Sequence, residues 1–384
     1  MSLRIALISG PMYDPLYDRL QMFEQQSGIA VKIAYQADHP TLNAHLAALK
    51  EVPYDLVSTH TKYVPSQRAF LAPLDELLAP GDLEDFVPRL LEMARIDGQL
   101  YSLPRNVDVR LLHYRTDLIA TPPVTWDALL DLARALSRPP HFYGFVLPGM
   151  ESGLFGTFYE LVEMGGAQLF PADLVPQIEN DGGRWALNFL RTCYAEKLVP
   201  PEIVDWHYDK VHDCFRDGHA AMVGDWPGYY GDYCDPAASQ VYDRFALVRY
   251  PAGPRGQSLV YGGSHTFALT TAGARKAEAL ALLRFLVAPD QQLLEARHGA
   301  VPVRRSTMAA VQAEADPPGR SRWQTLEAAL GGVVIPPKFA RYPDVEEVLW
   351  KTVQAAMTGD LAIDSALQQM TRQIRSIVAG THEH

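Results

Sequence analysis

The side chains best able to do chemistry are scattered along this chain and form no catalytic signature. His207, His212 and His219 lie near Asp209, Asp213 and Asp217. On a helix, however, His207 and His212 point to different faces, and there is no His-Glu-x-x-His, so solvated or capping histidines are expected and no metal site. Cys193, Cys214 and Cys234 show no Cys-x-x-Cys spacing, which removes a zinc ribbon. Cys214 and Cys234 flank a segment rich in glycine and aromatics and could pair if the fold brings them together. The plainer expectation is three buried or unpaired thiols. Ser9-Gly10-Pro11 stands at a strand-to-helix junction but lacks the later glycines of a dinucleotide fingerprint and the lysine of a P-loop. Gly262-Gly263-Ser264-His265 does not fit Gly-x-Ser-x-Gly, so Ser264 reads as a backbone-contacting loop residue. No local motif nominates a carboxylate pair for glycoside hydrolysis. No catalytic residue, metal ligand or cofactor is therefore expected.

One segment does stand out. Gly224-Asp225-Trp226-Pro227-Gly228-Tyr229-Tyr230-Gly231-Asp232-Tyr233 packs four aromatics among glycine and proline, directly after an apolar Ala221-Met222-Val223. Flat rings held on a loop suit stacking against sugar rings, whose C–H faces are apolar while their hydroxyls seek Asp, Asn and Arg. The competing expectation is that these rings pack under a sheet edge.

The elements that must position such a loop belong to an ordinary globular chain. Its 384 residues carry 34 Lys and Arg against 45 Asp and Glu, a net charge of -11, with 48% hydrophobic residues and 21% charged residues. That acidity, with the basic residues dispersed, argues against a nucleic-acid binder. At roughly 100–200 residues per domain the length predicts two domains or more. The longest apolar run, residues 328–337, is interrupted by Gly331 and Gly332 and is well short of the roughly 18 residues of a membrane span. The first residues show no basic start, long apolar stretch or small-residue cleavage site, which leaves a cytosolic chain or one whose signal has been removed.

Periodicity predicts strand, helix, strand, helix, strand over the first sixty residues. Residues 5–8 read as a buried strand. Asp14-Pro15 supplies an N-cap and first-turn proline for a helix bearing Leu16, Leu20 and Phe23, which Gly28 closes. Strands at 29–35 and 54–58 flank a helix marked by Leu42, Leu46 and Leu49, so a mostly parallel sheet is expected. Thr125 caps a helix carrying Trp126, Leu129 and Ala133, followed by a strand at 142–147. Further helices are expected at 184–196 and 208–217, strands at 220–223, 245–248 and 266–270, and two helices near the end. Five Pro-Pro pairs punctuate these segments.

Several motifs then fall in a familiar order. Asp97-Gly98-Gln99-Leu100-Tyr101-Ser102-Leu103-Pro104, His113-Tyr114-Arg115-Thr116-Asp117-Leu118 and Pro122-Pro123-Val124-Thr125-Trp126-Asp127-Ala128-Leu129 come first. Phe215-Arg216-Asp217-Gly218-His219-Ala220-Ala221-Met222, Tyr250-Pro251-Ala252-Gly253-Pro254, the Gly262-Gly263 pair, the helix at 277–286 and Gly299-Ala300-Val301-Pro302-Val303-Arg304 follow. Over nearly its whole length the chain resembles the family 1 extracellular solute-binding proteins of ATP-binding-cassette importers, the group that includes maltose-binding protein. Arg115 and Thr116 depart from the family's Asn-Lys at that point, and no lipoprotein cysteine precedes the first strand.

The resemblance implies an α/β, two-lobed periplasmic-binding-protein fold of the type II clamp, with mixed sheets flanked by helices and three crossings between lobes. These crossings are expected near residues 107–110, 262–265 and 304–305, giving lobe 1 as 1–107 plus 265–304 and lobe 2 as 108–264 plus 305–384. It further implies a monomeric, periplasmic or otherwise extracytoplasmic receptor. Such a receptor binds a sugar in the interlobe cleft and hands it to membrane permease subunits by hinge closure. Loops at strand ends then nominate Tyr13, His60, Thr61, Asn106 and Asp108 from the first lobe and its crossing. The second lobe contributes Phe155, Asp225, Trp226 and Tyr229, with Gly262 and Gly263 exposing backbone amides. Arg105 and Arg110 are the residues that could turn the ligand into an organic anion, since guanidinium forks favour carboxylate or phosphate. A cytosolic α/β carbohydrate-active enzyme is the alternative from another class.

Overall fold

Leu3, Ile5, Ala6, Leu7 and Ile8 leave little polar surface for a strand to expose. In the computed structural model, which describes residues 2–10 and 13–380, all five are buried in the strand Ser2–Ile8; Pro11 of the Ser9-Gly10-Pro11 turn lies outside the described residues. This strand pairs in parallel with Ala30–Ala37 on one side and Leu56–His60 on the other. Gly28 ends the helix Leu20–Ser27 at φ 71°, in the left-handed region where a Cβ is penalised. Asp38 opens the helix His39–Ala48 by accepting from the Thr41 amide at 2.9 Å. The expected alternation of strand and helix is thus present. Asp14, however, does not cap: it is the first residue of a short helix Asp14–Tyr17, where its charge still favours the positive helix end. The expected single helix is broken before Leu20, although Leu16, Leu20 and Phe23 all remain buried.

The strand His265–Leu269 returns to this sheet antiparallel to its neighbours, between Leu56–His60 and Leu103–Pro104. Its register sets His265 opposite His60 and Leu269 opposite Leu56. Just beyond it, the Thr270 hydroxyl donates to the Tyr54 carbonyl at 2.6 Å and accepts from the Gly273 amide at 3.0 Å. This turn sits so close to the neighbouring chain that a Cβ on Gly273 would lie 1.8 Å from the Asp55 carbonyl oxygen. Gly273→Ala is expected to destabilise by about 1–3 kcal/mol, read as a lower urea midpoint; an unchanged midpoint would show that the turn can move aside.

Residues after Asp108 build a second sheet, in which Leu111–Arg115 lies between Phe245–Val248 and Met222–Asp225, antiparallel to both. Thr125 caps the helix Trp126–Leu136 by accepting from the Ala128 amide, and Trp126 is buried against the rings of Phe145, Phe189 and Tyr250. The expected strand at 142–147 survives only as bridges from Tyr143 to Ala220 and from Val146 to Val223. Pro139-Pro140 and Pro148 bracket the run and deny it the amides a longer ladder needs. The helix Glu151–Met164 is buried on nearly every side, with the helix Asp181–Ala195 against it. Tyr342–Thr358 and Ile363–Ala379 are the last helices.

The chain divides into two compact units. The first comprises residues up to Asp108, Gly263–Arg320 and Pro337–Tyr342; the second comprises Val109–Gly262, Ser321–Pro336 and the residues from Pro343 on. Asp108, Gly263 and Ser264 therefore belong to the first unit, where the expectation had put them in the second. So does the helix Arg305–Glu314. Asp85 holds it there, its carbonyl accepting from the Arg305 amide at 2.8 Å and its carboxylate from the Ser306 amide at 2.9 Å. The chain leaves the first unit after Arg320, not at Arg304-Arg305, and visits it again at Pro337–Tyr342. None of Cys193, Cys214 and Cys234 is in a disulfide, so the possible Cys214–Cys234 pair does not form: Cys214 is buried and Cys234 is exposed.

Candidate functional site

The register that pairs His60 with His265 gathers groups distant in sequence at one end of the first unit's sheet. The Tyr13 hydroxyl lies 2.9 Å from His265 Nε2. Thr61 and Ser264 exchange hydrogen bonds, the Thr61 amide donating to the Ser264 carbonyl at 3.0 Å and the Ser264 amide to Thr61 Oγ1 at 3.3 Å. Asn106 accepts from the His265 amide at 3.1 Å and donates to Asp108 Oδ1 at 2.9 Å. Ser264 Oγ donates to the Asn106 carbonyl at 2.6 Å, the backbone-contacting role expected of it. His60 Nδ1 accepts from the Lys62 amide at 3.2 Å, which leaves the imidazole proton on Nε2. That ring lies over Gly263, where a Cβ would stand 2.4 Å from His60 Cε1, so only glycine fits. Tyr13, His60, Thr61, Asn106, Asp108 and Gly263 are thus brought together in one unit.

Burial sets the electrostatics here. It holds His60 well below its ordinary value, helped by His265 and His39, and brings His265 down to about 3, helped by Arg105 and Lys62. Both imidazoles are neutral at neutral pH. Burial also pushes the Asp108 carboxyl up to about 7, against the pull of Arg105 and the Asn106 hydrogen bond. Arg105 is spent internally: Nε donates to Glu295 Oε1 at 2.7 Å, Nη1 to the Tyr17 hydroxyl at 2.9 Å, and the guanidinium lies 4.7 Å from the centre of the Tyr13 ring.

In the second unit the helix Tyr208–Arg216 is a platform for the aromatic loop. Tyr208 meets Trp226 edge-on at 5.3 Å, the Asp209 carboxylate accepts from the Tyr229 hydroxyl, and His212 stacks on Tyr229 at 4.1 Å. His212 is therefore buried, not solvated as expected. It is 3.2 Å from Asp225 and 3.5 Å from Asp232. Burial pulls its pKa down, but those two carboxylates push it up to about 9. Trp226 and Tyr229 are brought together by this platform. Asp225 is 1% exposed, and its carboxylate accepts from the Trp226 amide at 2.8 Å and from the Tyr233 hydroxyl. Phe155 is wholly buried among Tyr159, Phe170 and Tyr261. These two hold the unit's interior in place. Gly262 ends the second unit's share of the strand Val260–Gly263, beside Tyr261, whose amide donates to Glu160 Oε2 at 2.8 Å.

Arg110 is also paired inside its unit, although its buried Nε donates to nothing. Nη2 donates to Glu160 Oε1 at 2.8 Å and Nη1 to Thr157 Oγ1 at 3.0 Å, and the guanidinium faces the rings of Trp226 and Tyr261. Burial alone would ease its proton off; Glu160 more than offsets this and keeps it charged. Sequence reasoning missed His39, His265, Tyr208 and His212. Tyr208, Asp209 and His212 share a helical face by spacing alone and could have been found. His39 could not: its ring lies 5.3 Å from that of His60 and 5.0 Å from that of His265 only because of the sheet register. Among the described residues no group of three or more His, Cys, Asp or Glu is arranged to hold a metal ion; one nitrogen of His265 is turned to Tyr13 and one of His60 to the Lys62 amide. Also among them, no helix is long and apolar enough to cross a membrane.

Comparison with known proteins places this architecture. The maltose-bound MalE3 of T. maritima superposes with a TM-score of 0.88 at 23% identity, covering 98% of this chain and 100% of that one. An ABC transporter solute-binding protein from Agrobacterium radiobacter K84 in complex with ribitol gives a TM-score of 0.86 at 21% identity, covering 98% of each chain. Both share the two-lobed periplasmic-binding-protein fold. A Sinorhizobium fredii protein, named as an amino-acid ABC transporter periplasmic-binding protein, is 24% identical over 316 residues, 77% of this chain and 68% of that protein. Residues 18–318 match the profile of bacterial extracellular solute-binding proteins, and the chain belongs to that family.

Proposed function

We propose that this protein is the receptor of an ATP-binding-cassette importer for a neutral, polyhydroxylated solute, a sugar or polyol. It works outside the cytoplasm, holds the solute between its two lobes and presents it to a membrane permease by hinge closure. The observation that carries the choice of solute is the fate of the two arginines. Arg105 is held by Glu295 and Arg110 by Glu160, both inside their own units. Each guanidinium already has its carboxylate, and only the buried Nε of Arg110 has no acceptor, so neither offers the two-pronged fork that binds a carboxylate or phosphate. Around them stand groups of a kind suited to hydroxyls: Asp108, whose Oδ2 accepts no hydrogen bond, with the neutral imidazoles, Asn106 and Tyr13 in one unit, and the rings of Trp226 and Tyr229 in the other. Structural relatives bound to maltose and ribitol support the same class. An amino acid, suggested by the Sinorhizobium relative's name, would need a cation for its carboxylate that the two arginines do not supply.

The test is a thermal-shift screen of the full chain against maltose, ribitol, mannitol and D-tagatose, with citrate and glutamate as the charged comparators. A ligand present at 100 times its Kd stabilises by about 2.7 kcal/mol, a shift of several degrees for lobes of this size. At least one sugar or polyol is expected to give that shift. A shift with citrate or glutamate alone would overturn the proposal.

A further inference from the structure

Asp108 is held on one side only. Its Oδ1 accepts from Asn106 Nδ2 at 2.9 Å, whereas Oδ2 is shielded from solvent and accepts no hydrogen bond. His265 Nε2 stands 3.5 Å from Oδ2 but is engaged with the Tyr13 hydroxyl at 2.9 Å. An ionised carboxylate in this position has no donor on one oxygen and, for countercharge, only Arg105, which is already paired with Glu295, a costly arrangement in a buried site.

The surrounding charges do not repair it. Arg105, in the same segment, is bound to Glu295 of the helix Pro289–Arg297 and to Tyr17 of the helix Asp14–Tyr17. Glu295 opposes ionisation of Asp108, as burial does. His265 is kept neutral, and so is His60; Lys62 and His39 complete the titratable groups of the cluster. Ionisation becomes favourable once something donates a hydrogen bond to Oδ2. A solute hydroxyl is such a donor.

We propose that Asp108 carries a proton in the empty protein and gives it up to solvent when a solute hydroxyl donates to Oδ2, so that solute binding releases one proton. Only the carboxyl O–H bond is broken, and the proton passes to buffer. This rests on the sugar or polyol reading above and names the residue through which that site is regulated by pH. The sign follows from the carboxyl's elevated value of about 7. Below it, binding must expel the proton and weakens as pH falls, by up to about tenfold per pH unit. Above it, affinity is level. The physical consequence is a receptor that holds its solute tightly in neutral medium and loosely in acid.

Two measurements test this. The first needs no ligand: the carboxyl carbon resonance of Asp108, identified by its loss in Asp108→Asn, is followed by NMR as a function of pH. A midpoint near neutrality is expected, and a midpoint near 4 overturns the proposal. The second is calorimetry with maltose or ribitol, whichever the screen shows to bind, at pH 5–8 in buffers of different ionisation enthalpy. The native chain should bind about 10- to 100-fold more weakly at pH 5 than at pH 8 and release close to one proton at pH 6. Asp108→Asn should bind with an affinity level within about twofold over the same range, which separates Asp108 from His39, His60 and His265. Equal pH slopes in the two proteins overturn the proposal while leaving the solute class intact. Failure of every sugar and polyol to bind removes the solute class, and the ligand-free titration still decides the state of Asp108.

Discussion

Trp226→Ala is expected to weaken sugar or polyol binding by roughly 10- to 100-fold, about 1–3 kcal/mol, the scale of losing a well-packed aromatic contact from a binding site. The ring is not a loose surface residue. Tyr208 meets it edge-on, Tyr261 lies 6.0 Å away and the Arg110 guanidinium 5.5 Å away, while Asp225 fixes its backbone amide. A preorganised ring of this kind contributes to binding without first having to be ordered. Because the same contacts support the unit, Trp226→Phe is the companion variant: it keeps an aromatic face and should retain most of the affinity. Titration calorimetry at equal melting temperature distinguishes the outcomes. If Trp226→Ala binds as the native chain does, Trp226 is packing only and the stacking role is wrong.

The second large effect is on stability. Glu160→Gln should destabilise the second unit by about 3–5 kcal/mol, because it leaves the Arg110 guanidinium charged, buried and without its carboxylate. Both side chains have no exposure at all, so water cannot take the lost partner's place. Glu160 also accepts from the Tyr261 amide, a bond that glutamine can keep. Replacing both members, Glu160→Gln with Arg110→Met, should recover most of the loss, since a buried pair replaced by neutral groups of similar volume is often close to neutral in stability. Chemical denaturation of the four proteins of this cycle measures the coupling. Additive losses would mean that the pair does not act as a unit.

These two predictions rest on features of different legibility. The aromatic run drew attention because four rings stand among glycine and proline, yet the structure buries Trp226, Tyr229 and Tyr233 and packs Tyr233 on Phe215 and on Phe245 of the sheet, as the competing expectation had it; Thr125, Gly28 and the buried run after Arg4 announced their roles by local chemistry alone. The partners of Arg105 and Arg110 were not readable. Each arginine stood out as a cation beside a crossing, but Glu295 and Glu160 lie far along the chain, and only the packed helices bring them in. The same holds for His60 and His265, which meet through the register of a returning strand. His212 shows the limit of reading titratable residues one helix at a time: its spacing gave no hint of the carboxylates of Asp225 and Asp232, which come from the next strand and the short helix after it. The crossing expected at Arg304-Arg305 moved because Asp85 pins the following helix to the first unit, a contact without local signature.

The most direct measurement is a crystal structure of the chain grown with the sugar or polyol that stabilises it most. The predicted result is an unmodified solute with one ring or carbon face against Trp226, hydroxyls bonded to Asp108 Oδ2 and its neighbours in the first unit, and Arg105 and Arg110 still paired with Glu295 and Glu160. A carboxylate or phosphate solute seated on either arginine, with its glutamate displaced, would contradict it.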